Sequence, residues 1–133
     1  MILPAISVMQ PWPYAIFHLG KDVENRSWRL SQQYFGVPVL IHAGKRRDWD
    51  GDIYLRDELG FDFPAELPLG GIVGVLVFDS CCADYSSKWA VPGLFHWGIK
   101  TAMPLELLLC KGQLGFFKVD YPHPLPENLC PAS

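Results

Sequence analysis

The sequence predicts an α+β domain built on a small, partly closed mixed β-barrel of about five or six strands with two to three helices. Three observations carry the prediction. Half of the 133 residues are apolar, enough for one buried core. Short β-prone runs recur along the whole chain, each bounded by glycine or proline. Both clear helical patterns fall in the N-terminal half. Barrel closure would remove most exposed strand edges.

Taken in order, Ile6 to Met9 is a short β-prone segment, and Gln10-Pro11-Trp12 places proline where a helix can begin. Trp12, Ile16 and Leu19 share one helical face, and Gly20 falls where a left-handed cap would end that helix. Val23 to Trp28 reads as a strand after a loop. Val37 to Ala43 is a stronger strand between Gly36 and Gly44, with Pro38 marking an edge or a strand start. Asp48 caps a second helix running to about Leu59 and ending near Gly60, although Gly51 weakens its interior. Gly71 to Phe78 is the most apolar strand and should be central. Leu94 to Ile99 and Leu114 to Val119 supply two further strands, separated by a break at Pro104. The organisation expected is a single domain over residues 1–120 and a Pro-rich C-terminal tail over 121–133.

Composition narrows the function. A mean hydropathy of +0.12 and a charged fraction of 19% exclude a disordered chain. No apolar run approaches the roughly 20 residues that span a bilayer, and Met1 to Met9 lacks the basic start and cleavage site of a secretory signal. A soluble, cytoplasmic protein is expected, with its four cysteines as reduced thiols. None of them has the CxxC spacing of a zinc knuckle, so neither metal nor cofactor is expected. No Walker loop, GxGxxG, GxSxG or HExxH occurs, and Gly51 comes too early in Asp48-Trp49-Asp50-Gly51-Asp52 for an EF-hand. The net charge of −3 is uneven: residues 1–56 carry seven basic and five acidic groups, and 57–133 carry four and nine. A phosphate-facing surface would therefore use Lys21, Arg26, Arg29 and Lys45-Arg46-Arg47, which equally describes a solvated basic face.

Lys21, Glu24 and Arg26 lie within six residues, after a helix stop and entering a strand. Strand alternation points Glu24 and Arg26 to one face. An acid between two cations in a concave site holds each charged, or lets burial push the lysine toward neutrality. As composition alone, the cluster equally describes a surface ion-pair group.

The order of Ile6-Ser7-Val8-Met9-Gln10-Pro11-Trp12, Gly20-Lys21-Asp22-Val23-Glu24-Asn25-Arg26-Ser27-Trp28 and Leu40-Ile41-His42-Ala43 resembles the ASCH (activating signal cointegrator homology) family. The resemblance continues through Gly71-Ile72-Val73-Gly74 and Gly112-Gln113-Leu114-Gly115-Phe116-Phe117. It implies a PUA-like β-barrel with a cleft over the Gly-x-Lys-x-x-Glu-x-Arg motif, in a family viewed as RNA-binding, with some members RNA-directed or nucleoside hydrolases. One bacterial branch hydrolyses N4-acetylcytidine with a lysine, a threonine three positions later and a distant glutamate. Lys21 matches that lysine, but Glu24 stands in the threonine's place.

The expected ligand-contacting set is Gln10, Trp12, Lys21, Glu24, Arg26, Trp28, His42 and Lys45. Trp12 and Trp28 flank the charged segment, and a base stacked on an aromatic ring gains about 1–3 kcal/mol. His42 closes a strand just before the basic Lys45-Arg46-Arg47, although a histidine there also fits a structural role. Two readings follow. In the first, the domain binds RNA or a modified nucleobase or nucleoside. In the second it is a hydrolase, a nucleoside amidohydrolase or a ribonuclease, with Glu24 activating water and Lys21 stabilising the oxyanion. A protein partner docking on the Pro-rich tail is a third reading, supported by composition alone.

Overall fold

The computed structural model describes residues 1–129, which form six strands and two helices. In chain order these are β1 (Ile2–Gln10), α1 (Trp12–His18), β2 (Val23–Arg26), β3 (Pro38–Arg47), α2 (Trp49–Ile53), β4 (Gly71–Cys82), β5 (Phe95–Leu109) and β6 (Phe116–Asp120). A π-helical turn, Tyr54–Glu58, continues α2. The strands make one mixed sheet in the order β2-β5-β4-β3-β1-β6, with β1 and β3 parallel and the other pairs antiparallel.

The domain is thus α+β on a six-stranded mixed sheet, as expected, but the sheet does not close: β2 and β6 remain its edges. It curls strongly. The Trp97 ring of β5 stacks on Phe116 of β6 with centroids 5.8 Å apart, although three strands separate β5 from β6 in the hydrogen-bonded order.

Local chemistry explains the punctuation. Gly20 ends α1 at φ 79°, a conformation costly for residues with a Cβ, and lets the Lys21 N–H return to the Ala15 carbonyl at 3.0 Å. Asp48 caps α2 by accepting from the Gly51 N–H at 3.0 Å, while its second oxygen accepts from the Trp12 indole N–H at 2.9 Å. Gly51 is required there because a Cβ would sit 2.8 Å from the Trp12 ring. Gly71 to Phe78 is wholly buried between β3 and β5, which is why it reads as an unbroken apolar run.

The break expected at Pro104 does not occur. β5 runs through it to Leu109, and Pro104 lies opposite Gly74 beside a register shift, where an irregular ladder tolerates a missing N–H.

Alternation along β3 feeds two cores. Val39 and Ile41 join Ile6, Val8, Leu76, Phe78 and Trp97 inside the curl, whereas Leu40 joins Leu3, Ala5, Ile72, Val75 and Phe117 outside it. The outer core is covered by Tyr121, Leu125 and Leu129, all buried. Over its described part, the segment expected to trail away as a tail is therefore packed onto the domain; residues 130–133 of that segment lie outside the described residues. No helix among the described residues is long and apolar enough to cross a membrane.

Candidate functional site

A cavity lies where the curled sheet fails to close. β6 pairs with β1 only as far as Ile6, so among the described residues the outer edge of β1 beyond that point has no strand beside it. β2 is likewise an edge, paired only with β5. Between these edges is a cavity of about 640 Å³ bounded by Ser7, Val8 and Met9 on one side and Glu24, Asn25 and Arg26 on the other. Trp12, Trp89, Val91 and Pro92 add apolar walls. Arg26 bridges the seam, its Nη2 donating to the Ser7 carbonyl at 2.8 Å.

The floor is a chain of charges. The Glu24 Oε2 accepts from Arg26 Nε at 2.9 Å and lies 2.9 Å from Arg26 Nη2 as an ion pair, and its Oε1 lies 3.5 Å from Lys21 Nζ. Lys21 Nζ also donates to the Val23 carbonyl and sits 5.7 Å from the centre of the Trp12 ring. Lys21 and Glu24 are only 5% and 6% exposed, so this is no surface ion-pair group. Burial holds the Lys21 amine below the usual lysine range; Glu24 pulls in the opposite direction, and Arg26 adds to the lowering. Chemically, the cavity presents a buried amine with a lowered pKa, a clamped carboxylate and a guanidinium beneath a mostly apolar space.

The same motif builds the opposite wall. Asn25 points to the segment between β4 and β5, its Nδ2 donating to the Trp89 carbonyl at 3.0 Å and its Oδ1 accepting from the Val91 N–H at 2.9 Å. Asp22 accepts from the Ser87 hydroxyl at 2.6 Å, and that hydroxyl in turn accepts from the Trp89 N–H at 3.1 Å. His96 completes the anchorage: Nδ1 accepts from the Tyr85 N–H at 3.1 Å, and Nε2–H donates to the Val91 carbonyl at 2.7 Å. Lys21, Glu24 and Arg26 thus make the floor, while Asp22 and Asn25 between them hold the wall.

Of the residues expected to contact ligand, Trp12, Lys21, Glu24 and Arg26 come together around this cavity. The others do not line it. The buried Gln10 amide is committed to structure, accepting from the Tyr14 N–H at 3.0 Å and donating to the Pro68 carbonyl at 3.1 Å. His42 takes its structural role: Nε2–H donates to the Cys110 carbonyl at 2.8 Å, which leaves Nδ1 to accept from the Ser7 hydroxyl at 3.0 Å. Trp28 packs edge-on against Trp97 and touches the site only through Arg26, whose guanidinium lies 5.2 Å from its ring centre. Lys45 lines a separate shallow groove with Arg46, Arg47 and Trp49.

Sequence reasoning missed the β1 edge, Asn25, Tyr54 and the Lys88–Pro92 wall. A Ser-, Pro- and Trp-bearing stretch between two strong strands was the available signal for that wall. Among the described residues, no group of three or more His, Cys, Asp or Glu side chains is placed to hold a metal ion. Comparison of the chain with protein-family models and with curated proteins finds no match in either.

Proposed function

We propose that the cavity binds a nucleobase, presented by a modified nucleoside or by a single-stranded RNA segment. One observation carries the reading: a buried Lys21–Glu24–Arg26 floor lies under Trp12- and Trp89-bearing walls in about 640 Å³, within the range that holds a molecule of nucleoside size. Aromatic and aliphatic walls suit the faces of a base, and floor donors not taken up by protein groups suit its carbonyl oxygens. The geometry favours reading the base over reading phosphate. Arg26 is spent on Glu24 and on the Ser7 carbonyl, Lys45 lies in another groove, and the exposed cation at the cavity rim is Lys88. A titration of nucleosides, acylated nucleosides and short single-stranded RNAs by calorimetry tests this. Binding that is weakened by Lys21→Ala and by Trp12→Ala, and that changes little with salt, is expected. Absence of binding across the panel would overturn it.

The hydrolase reading keeps one specific observation in its favour: an amine with a depressed pKa beside a carboxylate in a substrate-sized cavity. In that reading Glu24 accepts a proton from water, the resulting hydroxide attacks the acyl carbon, Lys21 stabilises the oxyanion, and the C–N bond breaks as Glu24 returns the proton to the leaving nitrogen. Turnover of acylated nucleosides or RNA, abolished by Glu24→Gln with binding retained, is its signature.

A further inference from the structure

Met9 belongs to β1 but has a partner in neither of its ladders. β6 pairs with β1 only through Ile6, and the register with β3 passes from Val8 opposite Ala43 to Gln10 opposite Arg47, with no residue opposite Met9. The direction of its main-chain groups follows from both flanks. The Met1 amino group donates to the Tyr121 carbonyl at 3.0 Å and the Tyr121 N–H to the Met1 carbonyl at 2.8 Å, so the odd residues of β1 turn their main-chain groups toward β6 and away from β3. Ser7 keeps that phase, its carbonyl accepting from Arg26 across the seam. Gln10 has the opposite phase, its carbonyl accepting from the Asp48 N–H at 2.7 Å, next to its β3 partner Arg47. Met9 lies between them and lines the seam cavity, so its N–H and C=O face outward into the seam.

We propose that the Met9 N–H and C=O pair with the Watson–Crick edge of the base held in this cavity. The assignment rests on the cavity binding a base, and it adds the atoms that read one. A donor and an acceptor facing a mostly apolar space are satisfied by whatever fills it. The edge of a base sets a donor and an acceptor side by side, N3–H beside O4 in uracil or N4–H beside N3 in cytosine, which matches the acceptor and donor of one strand residue. The floor cannot supply both. Lys21 and Arg26 only donate, and the two Glu24 oxygens are engaged by them. On the wall, the Trp89 carbonyl and the Val91 N–H are taken by Asn25. The Met9 carbonyl is therefore the acceptor that a base N–H meets at the β1 edge.

Calorimetry with uridine, cytidine, adenosine, guanosine and their short homopolymers identifies the tightest binder, on which the variants are compared. Met9→Pro deletes the N–H and keeps the carbonyl, and proline is tolerated in an edge strand whose N–H faces outward. Its urea midpoint should stay close to that of the wild type, while its affinity falls about tenfold or more, the loss of one hydrogen bond in a water-poor site. Met9→Ala keeps both main-chain groups and should retain most of the affinity. Two measurements need no variant. The same ligand methylated at N3 of a pyrimidine or N1 of a purine should bind the wild type about tenfold or more weakly, and the Met9 amide, fast to exchange in the free protein, should be protected by the unmethylated ligand. A Met9→Pro chain that unfolds would put the N–H in a ladder and overturn the proposal. So would equal affinities of Met9→Pro and the wild type, or of the methylated and unmethylated ligands. A wild type that binds no base in any form overturns the cavity reading itself, and this assignment with it.

Discussion

Glu24→Gln offers the sharpest probe of the site because the change is nearly isosteric and removes only the charge between two cations. In the wild type, one Glu24 oxygen holds Arg26 through two 2.9 Å contacts and the other faces Lys21 at 3.5 Å. Breaking a buried ion pair by removing one partner costs about 3 kcal/mol or more, a large share of the roughly 5–15 kcal/mol that holds a domain together. The cost should depend on pH in a defined sense. Burial already lowers the Lys21 pKa, and Glu24 supplies both the Coulombic and the hydrogen-bonding support that oppose the lowering. Without Glu24 the folded-state pKa falls further below the unfolded value of 10.5. Between the folded and unfolded values the unfolded chain binds more protons, so stability rises with pH, by at most about 1.4 kcal/mol per unit. Above both values Lys21 is neutral in either state and no longer needs its counterion. The stability gap between wild type and variant should therefore narrow as pH rises toward 10.5, leaving the part due to Arg26. Urea denaturation at several pH values measures this gap directly, and other titrating groups cancel in the difference. A gap that stays constant or widens would refute the assignment of Glu24 as the counterion of a buried lysine.

Three further outcomes are expected. Asn25→Ala removes both amide contacts to the wall; hydrogen exchange should quicken across Lys88–Pro92 while the strands stay protected, with a stability loss of about 1–3 kcal/mol and weaker ligand binding. Gly74→Ala should destabilise by about 1–3 kcal/mol in thermal or urea unfolding, because the added Cβ would overlap the Phe17 ring and push α1 off β4. Leu129→Ala should cost about 3 kcal/mol, since this side chain is 1% exposed in the outer core; a negligible loss would mean that the C-terminal segment is not part of the domain.

The features legible in the sequence are those set by neighbours along the chain. Gly20, Asp48 and Gly60 mark helix boundaries through φ and capping chemistry that need no tertiary information. Period-2 alternation put Glu24 and Arg26 on one face, and their joint contact bears that out. Contacts between distant segments were not legible. Pro104 reads as a stop until Gly74 and a register shift lie opposite it. His42 looked available to a ligand because the Cys110 carbonyl that fixes it lies 68 residues away, and Asn25 looked incidental because its partners lie 64 and 66 residues on. Trp28 misled for a different reason: adjacency to a charged strand does not say on which side of Arg26 an indole will pack.

The alternation within Lys21 to Arg26 bears on which substitutions can separate binding from folding. Because floor and wall residues are interleaved on one short edge strand, a change that shifts β2 moves both sides of the cavity together. Glu24 also supplies the electrostatic support of Lys21, so it cannot be removed without lowering that amine's pKa further. Trp12 is different. Its indole N–H is tied to Asp48 and its ring backs onto Gly51, outside β2, so its position is set by α2 and not by the charged strand. Trp12→Phe keeps an aromatic face in the cavity and gives up the hydrogen bond to the α2 cap. A loss of affinity in that variant larger than its loss of stability would therefore report on the wall itself, which no substitution within Lys21 to Arg26 can isolate.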